Sequence, residues 1–337
     1  MIGYYIHHHG IGHRTRAASI AAELGQPVVG LSSLPPPGGA SPYDDWVPLA
    51  RDDTAADAED PTARGALHWA PRGDAGLRDR MSAIAAWVDR HHPAAVVVDV
   101  SVEVAVMLRL LGVPVVVVAM PGDRADPAHQ LAYRLADAVL AFWTQDVYDP
   151  PWLVTHRDRT HFLGACSRFD GRPRPIRASG PRPTGVLLCG TGGGSITAAE
   201  RAVLPTEWEW QLLGGDGTAA VDNWVDDPWP ALCAADVVIT HAGQNALAEV
   251  AAAGRPAVVV PQPRPHHEQR RTAEALAAAG VVHTVPAWPD PADWPAALGR
   301  ACALGGSGWA RWRPGNAAAR AVEVITAVSA AGRRTRR

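Results

Sequence analysis

The amino-acid sequence predicts an α/β protein with two Rossmann-like, doubly wound parallel-sheet domains that face each other across a cleft. Three observations support this prediction. The chain has 337 residues, a length typical of two domains. Short apolar runs rich in Val and Ile alternate with helical patterns in both halves, as they do in the βαβ units of a parallel sheet. A segment rich in proline and arginine separates the two halves.

The N-terminal half contains apolar runs that we interpret as buried parallel strands, because each is a continuous apolar stretch rather than an alternating one. The runs span residues Ile2–Ile6, 27–31, 95–100, 113–119 and 138–142. Helical patterns at 14–24, 76–91 and 102–111 separate them. Residues 34–72 are rich in Pro, Gly and Asp and have little periodicity, so we expect a mobile loop there on the cleft side.

The boundary between the halves is predicted at residues 172–183, which hold four prolines and four arginines. Proline is excluded from helix interiors and central strands, so this segment is typical of a linker. Strand runs then resume at 185–189, 208–213, 236–240, 257–260 and 281–285, with later helices at 245–253, 267–279 and 316–330. The predicted division is an N-terminal domain 1–170, a linker 171–184, a second domain 185–315, and a closing helix with a basic tail 316–337.

Composition excludes several classes of protein. The 31 basic and 34 acidic residues give a net charge of −3, so we expect no nucleic-acid partner. The four cysteines are scattered, which favours a reducing compartment over a disulfide framework or a zinc ribbon. No apolar run approaches the roughly 18–20 residues of a membrane span, and no secretion signal is present at the N-terminus. We therefore expect a cytoplasmic protein without a transmembrane segment.

The strongest motif is His241-Ala-Gly243-Gln244-Asn245, which follows the strand run 236–240 and enters a helix. Gly243 allows the backbone to approach a ligand closely. The N–H groups and the positive dipole end of the helix suit a phosphate, and His241 and Asn245 add side-chain donors. Glu249 lies one helical turn beyond Asn245, where its carboxylate would accept hydrogen bonds from a ribose diol.

Glu268 and Gln269 begin the next helix, where a sugar joined to the diphosphate would lie. Taken alone, Glu268 would be an ordinary helix N-terminal carboxylate and His241 an ordinary turn residue. Because the two occur on consecutive βα units, we favour a ligand site.

The stretch from Trp224 to Gly280 resembles the donor-binding signature of UDP-dependent GT-B glycosyltransferases, including the peptidoglycan N-acetylglucosaminyltransferase group. The resemblance implies that Trp224 and Val225 border the nucleobase and that His241, Gly243, Gln244 and Asn245 hold the diphosphate. It also implies that Glu249 binds the ribose and that Glu268 and Gln269 bind sugar hydroxyls. Many plant members have tryptophan in place of Gln244, and aspartate is commoner in place of Glu268, so the identity of the donor stays open.

A glycine-rich turn, Gly190-Thr191-Gly192-Gly193, follows the strand run 185–189. Such a turn is a weak signal by itself, and it lacks the spacing of a dinucleotide fingerprint or a P-loop. In GT-B enzymes the corresponding turn faces the donor phosphates, and we expect the same here. The alternative is a plain tight turn.

Near the N-terminus, Gly12 and His13 lie in the turn after the first strand, in the string His-Gly-x-Gly-His-x-x-Arg. This string resembles the N-terminal turn of the same families, where a histidine activates the acceptor. We expect His13 to act as a general base, with Asp99 orienting it; a helix N-cap is the alternative role for Asp99. We interpret His7, His8 and His9 as strand-end and loop residues rather than metal ligands, since adjacent strand residues point to opposite faces.

The resemblance implies inverting transfer of a sugar from a UDP- or dTDP-sugar donor to a small-molecule or lipid acceptor. Because N–H donors stabilise the diphosphate, we expect no metal and no cofactor. The alternatives are a sugar-nucleotide 2-epimerase or hydrolase of the same fold and a non-catalytic nucleotide-sugar-binding subunit. A dehydrogenase is poorly supported, because neither half begins with G-x-G-x-x-G. Candidate acceptor contacts lie in 34–72 and 121–129.

Overall fold

The computed structural model describes residues 1–53, 57–175, 180–190, 196–215 and 225–334. The N-terminal sheet has seven parallel strands in the order β3-β2-β1-β4-β5-β6-β7. Their bounds are β1 Ile2–Ile6, β2 Val28–Ser32, β3 Asp45–Pro48, β4 Ala95–Asp99, β5 Val115–Ala119, β6 Ala138–Ala141 and β7 Thr160–Phe162. Strands β1, β2, β4, β5 and β6 are fully buried, which agrees with their continuous apolar sequences.

Helices cover both faces of this sheet: α1 Ile11–Ala21, α2 Ala75–His91, α3 Val102–Leu110 and α4 Pro127–Leu135. A 3-10 helix, Pro151–Arg159, follows β6. Asp74, Ser101 and Asp126 cap α2, α3 and α4 by accepting a hydrogen bond from the backbone N–H three residues ahead. Helix α1 has no such side-chain cap, and its N-cap residue Gly10 has φ 89°.

The second sheet has five parallel strands in the order β12-β11-β10-β8-β9. They are β8 Thr184–Leu188, β9 Glu209–Leu213, β10 Val237–Thr240, β11 Ala257–Val259 and β12 His283–Thr284. The helices of this part are α5 Ala198–Ala202, α6 Trp229–Ala234, α7 Gln244–Ala253, α8 Glu268–Ala278, α9 Trp294–Leu304 and α10 Trp309–Trp312.

Each sheet reverses its strand order at one point. In the first sheet the reversal lies between β1 and β4, and in the second it lies between β8 and β10. Ligands of open parallel sheets bind outside the carboxyl ends of the strands at such a reversal. The turns after these four strands are therefore the expected walls of a binding cleft.

The last helix, α11 Ala317–Arg334, returns to the N-terminal domain. It packs against α1, β4 and β6, and buries Ala317, Ala321 and Ile325 in the same cluster as the side chains of β1. Within the described residues, the helices are all too short or too polar to cross a lipid bilayer.

The predicted fold class is confirmed, and most predicted strands lie within two residues of the observed ones. The expectation of a mobile loop over 34–72 was wrong for Asp45–Pro48, which forms strand β3. This short edge strand is only partly buried, so its sequence has little of the apolar pattern that marks the central strands. Its Trp46 lies over Gly30 of β2, where a Cβ would come within 2.3 Å of Trp46 Cε3.

Candidate active site

A cleft of about 570 Å³ lies between the two sheets, a volume suited to a small-molecule ligand. The turn after β1 and helix α1 line one wall, and the turns after β8, β10 and β11 line the other. Among the predicted site residues, the cleft is lined by Gly12, His13, Gly190, Val225, His241, Gly243, Gln244, Asn245, Glu249, Glu268 and Gln269. Thr191, Gly192, Gly193 and Trp224 lie outside the described residues.

His13 is paired with Asp99 across the reversal point of the first sheet. His13 is the third residue of α1, and Asp99 is the last residue of β4. The His13 Nδ1 lies 2.8 Å from Asp99 Oδ1, and Asp99 is fully buried. The carboxylate can only accept, so His13 Nδ1 donates the proton and the Nε2 lone pair remains available as a base.

Arg16, one helical turn after His13, is the second partner of Asp99. Its Nε donates to Asp99 Oδ2 at 3.1 Å, and its Nη2 donates to Asp99 Oδ1 at 2.6 Å. Burial alone would raise the pKa of Asp99, but the charges of Arg16 and His13 outweigh it and hold that pKa well below its usual range. Asp99 is therefore ionised over the physiological pH range.

The opposite wall carries the N-terminus of α7. Gly243 is its N-cap residue, and among the described residues no side chain caps the helix and no atom lies within 4 Å of the position of a Cβ on Gly243. The first N–H groups of α7 thus face space that a ligand can enter, and the dipole of the helix favours an anion there. Asn245 Nδ2 donates to the carbonyl oxygen of Gly12 at 3.2 Å, which joins this turn to the N-terminal domain.

His241 precedes this helix and is held by the backbone. Its Nδ1 lies 2.8 Å from the carbonyl oxygen of Val260, so Nδ1 must donate a proton to it. Its Nε2 is buried and has no hydrogen-bond partner within the described residues. Burial lowers the pKa of His241, so the ring is neutral at pH 7 and Nε2 carries a lone pair.

Glu249 lies on the cleft face of α7, nine-tenths buried. Arg168 Nε donates to Glu249 Oε1 at 2.8 Å and Arg168 Nη1 to the carbonyl oxygen of Asp226 at 3.2 Å. Burial raises the pKa of Glu249 and the charge of Arg168 opposes that rise. Arg168 thereby joins Glu249 to the backbone next to Val225, and all three residues line the cleft.

Glu268 and Gln269 open α8, where the sequence places them. Glu268 Oε2 lies 3.4 Å from Arg124 Nη2 of the N-terminal domain. Burial raises the pKa of Glu268, and Arg124 is the main opposing charge. Gln269 is buried and its Oε1 accepts from the N–H of Gln262 at 2.9 Å, which fixes the loop between β11 and α8.

The loop after β5 touches the start of α8 closely. The Asp123 N–H donates to the carbonyl oxygen of His266 at 2.7 Å, and Asp123 Oδ1 accepts from Arg271 Nε at 2.8 Å. Gly122 has φ 110°, and a Cβ on it would lie 2.5 Å from the same carbonyl oxygen. Only glycine fits this approach, so Gly122 and Asp123 of the 121–129 segment join the two domains.

The N-terminal histidines are grouped more closely than the sequence suggests. Strand β1 ends at Ile6, so the alternation of faces no longer applies to His7, His8 and His9, and their ring centroids lie 4.3–5.0 Å apart. His8 Nε2 lies 3.3 Å from Asp53 Oδ2. Burial is the largest cause that lowers the pKa of His7, to about 3. Of the three, His9 lines the cleft.

Three arginines of the site were missed by reasoning from the sequence. Arg16 stood in the motif string but had no role, although its spacing of one helical turn from His13 was a usable signal. Arg124 and Arg168 act on carboxylates 144 and 81 residues away in the chain, and nothing local in the sequence indicates such pairs.

Comparison with known proteins agrees with this geometry. Residues 215–287 match the family described as "Glycosyltransferase family 28 C-terminal domain". A relative from Sorangium cellulosum (strain So ce56) is 37% identical over 114 residues, 34% of this chain. It is a UDP-N-acetylglucosamine--N-acetylmuramyl-(pentapeptide) pyrophosphoryl-undecaprenol N-acetylglucosamine transferase. The chain spans 27% of that relative's length.

Two solved structures resemble the whole chain. The glycotransferase of kitacinnamycin has a TM-score of 0.67 and 20% identity, covering 97% of this chain and 98% of that one. MurG from Acinetobacter baumannii has a TM-score of 0.64 and 17% identity, covering 96% and 99%. At these identities the likeness establishes the fold. The chain therefore has the GT-B fold, and residues 215–287 of its second domain are similar to the C-terminal domain of glycosyltransferase family 28.

Proposed function

We propose that this protein is a glycosyltransferase that moves a sugar from a nucleoside diphosphate donor, UDP in preference to dTDP, to an acceptor hydroxyl. One observation carries the proposal. A carboxylate-oriented histidine, His13, lies across one cleft from an uncapped helix N-terminus at Gly243, and each stands at the reversal point of its sheet. A base facing an anion site is the arrangement that displacement of a diphosphate requires.

In the proposed reaction, His13 Nε2 removes the proton of the acceptor hydroxyl as its oxygen attacks the anomeric carbon. The bond from that carbon to the diphosphate oxygen breaks, and its electron pair leaves with the diphosphate. A single displacement inverts the configuration of the anomeric carbon. Asp99 stays ionised and stabilises the imidazolium that forms. Glu249 binds the ribose, and Glu268 and Gln269 bind hydroxyls of the transferred sugar.

We propose that the protein itself balances the charge of the leaving diphosphate. The N–H groups at the start of α7 point at it, and Gly190 faces it from the turn after β8. Arg264 lines the same cleft and adds a positive charge. Transfer should then persist unchanged in excess EDTA; a rate restored only by Mg²⁺ or Mn²⁺ would contradict metal independence.

We propose that the acceptor enters beside His9 and His13, on the N-terminal wall. The relative named above acts on a pyrophosphoryl-undecaprenol lipid, and one similar structure is named for the small molecule kitacinnamycin. We therefore propose a small-molecule or lipid-linked acceptor, and a cytoplasmic location in keeping with four free cysteines.

The donor site is tested by titrating UDP calorimetrically into the protein and into Glu249→Ala. A charged hydrogen bond contributes about 1.5–3 kcal/mol, so affinity should fall roughly tenfold to a hundredfold. Glu274→Ala is the matched control, because Glu274 lies on α8 and pairs with Arg270 and Arg271 away from the cleft. Absence of UDP binding, or equal binding by wild type and Glu249→Ala, would refute the donor site.

The catalytic step is tested by replacing His13 with Ala and assaying a panel of UDP-sugars and acceptors. Transfer should fall by about 10²–10⁴-fold, while UDP affinity stays as in the wild type. Product analysis with donor alone distinguishes the rival activity of this fold. Formation of a 2-epimer or of free sugar at the rate of transfer would point to an epimerase or hydrolase instead.

A further inference from the structure

We propose that Arg16 is a positioning residue that makes the alignment of His13 depend on the position of the donor-binding domain. The inference rests on the proposed function, since it assigns a role to Arg16 in readying the base. Arg16 neither gives nor takes a proton in the proposed reaction. It acts through Asp99 on one side and through Gln244 on the other.

The contacts of Arg16 on the N-terminal side fix the orientation of Asp99. Two nitrogens of one guanidinium edge donate to the two carboxylate oxygens, at 3.1 and 2.6 Å. This two-point geometry locks the carboxylate plane relative to the guanidinium plane. Asp99 Oδ1, which also accepts from His13 Nδ1, therefore points where Arg16 places it.

The remaining edge of the guanidinium crosses to the other domain. Arg16 Nη1 donates to Gln244 Oε1 at 2.8 Å, and Gln244 is the first residue of α7. Because the guanidinium is planar and rigid, its two edges cannot reorient independently. A displacement of α7 must therefore turn the group that holds Asp99, or break the bond to Gln244.

The surroundings of Arg16 make this coupling tight. The side chain is 4% exposed, its guanidinium carbon lies 5.1 Å from the ring centroid of Phe142, and Nη2 lies 3.6 Å from Met120 Sδ. Nη2 also lies 3.2 Å from His13 Nδ1. Within the part of the chain that the structure describes, the hydrogen bond to Gln244 is the contact through which the second domain acts on the position of Arg16.

Nuclear magnetic resonance of the imidazole protons tests the coupling without any ligand. The Nδ1–H of His13, bonded to a buried carboxylate, should give a low-field ¹H signal that is assigned by its loss in His13→Ala. Gln244→Met removes the acceptor for Arg16 at nearly constant volume, and should shift this signal or broaden it by exchange with water. Gln244→Glu retains an oxygen at the same position and should restore a signal close to that of the wild type.

Arg16→Lys keeps the positive charge but cannot make the three bonds at once, and should change the signal as Gln244→Met does. If Arg16→Lys fails to fold, the comparison of Gln244→Met with Gln244→Glu still tests the coupling. Glu249→Gln is the matched control, since it alters another cross-cleft contact of α7 without touching Arg16, and its signal should be unchanged. A wild-type signal in Gln244→Met overturns the inference, as does an equal change in Glu249→Gln.

Failure of the proposed function has a different signature. Wild-type protein that binds no UDP by calorimetry refutes the donor site, whatever the resonance does. Wild-type protein that binds UDP, together with an unperturbed His13 signal in Gln244→Met, refutes only the coupling through Arg16.

Discussion

The single ring proton of His241 is on Nδ1, which bonds to the backbone. Its Nδ1 donates to the carbonyl oxygen of Val260, and the buried Nε2 carries a lone pair. A phosphate oxygen also carries lone pairs, so it can accept from Nε2 only after Nε2 is protonated, which gives the ring its second proton. Binding of a diphosphate at the start of α7 should therefore be linked to protonation of His241.

This linkage predicts net proton uptake when UDP binds at neutral pH. The pKa of His241 is lowered in the free protein by burial, and a bound phosphate would raise it. Between the free and bound values, each binding event takes up protons; above the bound value the uptake disappears. Calorimetric titration in buffers of differing ionisation enthalpy measures it. His241→Gln should bind UDP without uptake, and equal uptake in that variant would show that another group is protonated.

At the residue scale, the sequence predicts those site residues whose positions follow from strand ends or helical spacing. It does not predict the pairs that form between distant parts of the chain. His13 and Asp99 were paired because His13 lies in the turn after one strand and Asp99 at the C-terminal end of another, where a carboxylate can orient a histidine. Glu249 was placed one helical turn from Asn245 by helical spacing alone. The pairs Arg124–Glu268 and Arg168–Glu249 depend on how two domains meet, and no local spacing encodes that.

At the scale of elements, glycines in the sheets make room for tryptophans of neighbouring strands. A Cβ on Gly185 of β8 would lie 2.1 Å from Cζ3 of Trp210 on β9. The indole is held in place because its Nε1 donates to the carbonyl oxygen of Pro205 at 3.0 Å. The ring therefore cannot move aside without losing a hydrogen bond.

Gly185→Ala should destabilise the protein by about 1–3 kcal/mol through this overlap. Gly299→Ala is the control, because Gly299 lies within helix α9 with nothing within 4 Å of its Cβ position. Alanine is the better helix former there and should stabilise by about 0.5–1 kcal/mol. Thermal melting compares the two variants. A melting temperature for Gly185→Ala at or above that of the wild type would contradict the overlap.

Elements with continuous apolar sequences were predictable from the sequence, whereas elements with a weak apolar pattern were not. The buried strand Ile2–Ile6 was predicted with its observed bounds. The edge strand Asp45–Pro48 and the helix Pro127–Leu135 were missed. The first owes its pairing to β2, and the second begins with a proline inside a segment that looks like a turn. Both are stabilised by neighbours in the fold more than by their own pattern.

For the whole molecule, Asp123 is one of the residues that join the N-terminal domain to the second domain. Its carboxylate accepts hydrogen bonds from Arg271 of α8 and from His267, the residue before α8. The hydrogen bond from Arg271 is the largest of the causes that lower the pKa of Asp123. A carboxyl group with a lowered folded pKa stabilises its contacts above its unfolded value of about 3.9, and loses that effect as pH falls through the lower folded value. The domains should stay joined here at neutral pH and loosen only in acid.

Arg271→Met should therefore enlarge the radius of gyration of the unliganded protein, as measured by small-angle X-ray scattering at low salt. Arg270→Met is the matched control, because Arg270 pairs with Glu274 on its own helix. Arg271 pairs with Asp123 across the cleft, whereas the ion pair of Arg270 stays within α8. Equal radii of gyration for the two variants would show that the ion pair does not hold the domains together.

The path of α11 has a consequence for how such a chain can change. Helix α11 packs on the N-terminal sheet, so the five-stranded sheet is an insertion between two parts of one domain. The chain passes between the two bodies twice, once before β8 and once before α11. Replacing the inserted unit should therefore exchange the proposed donor site, while the proposed base His13 and the N-terminal wall of the cleft remain in place.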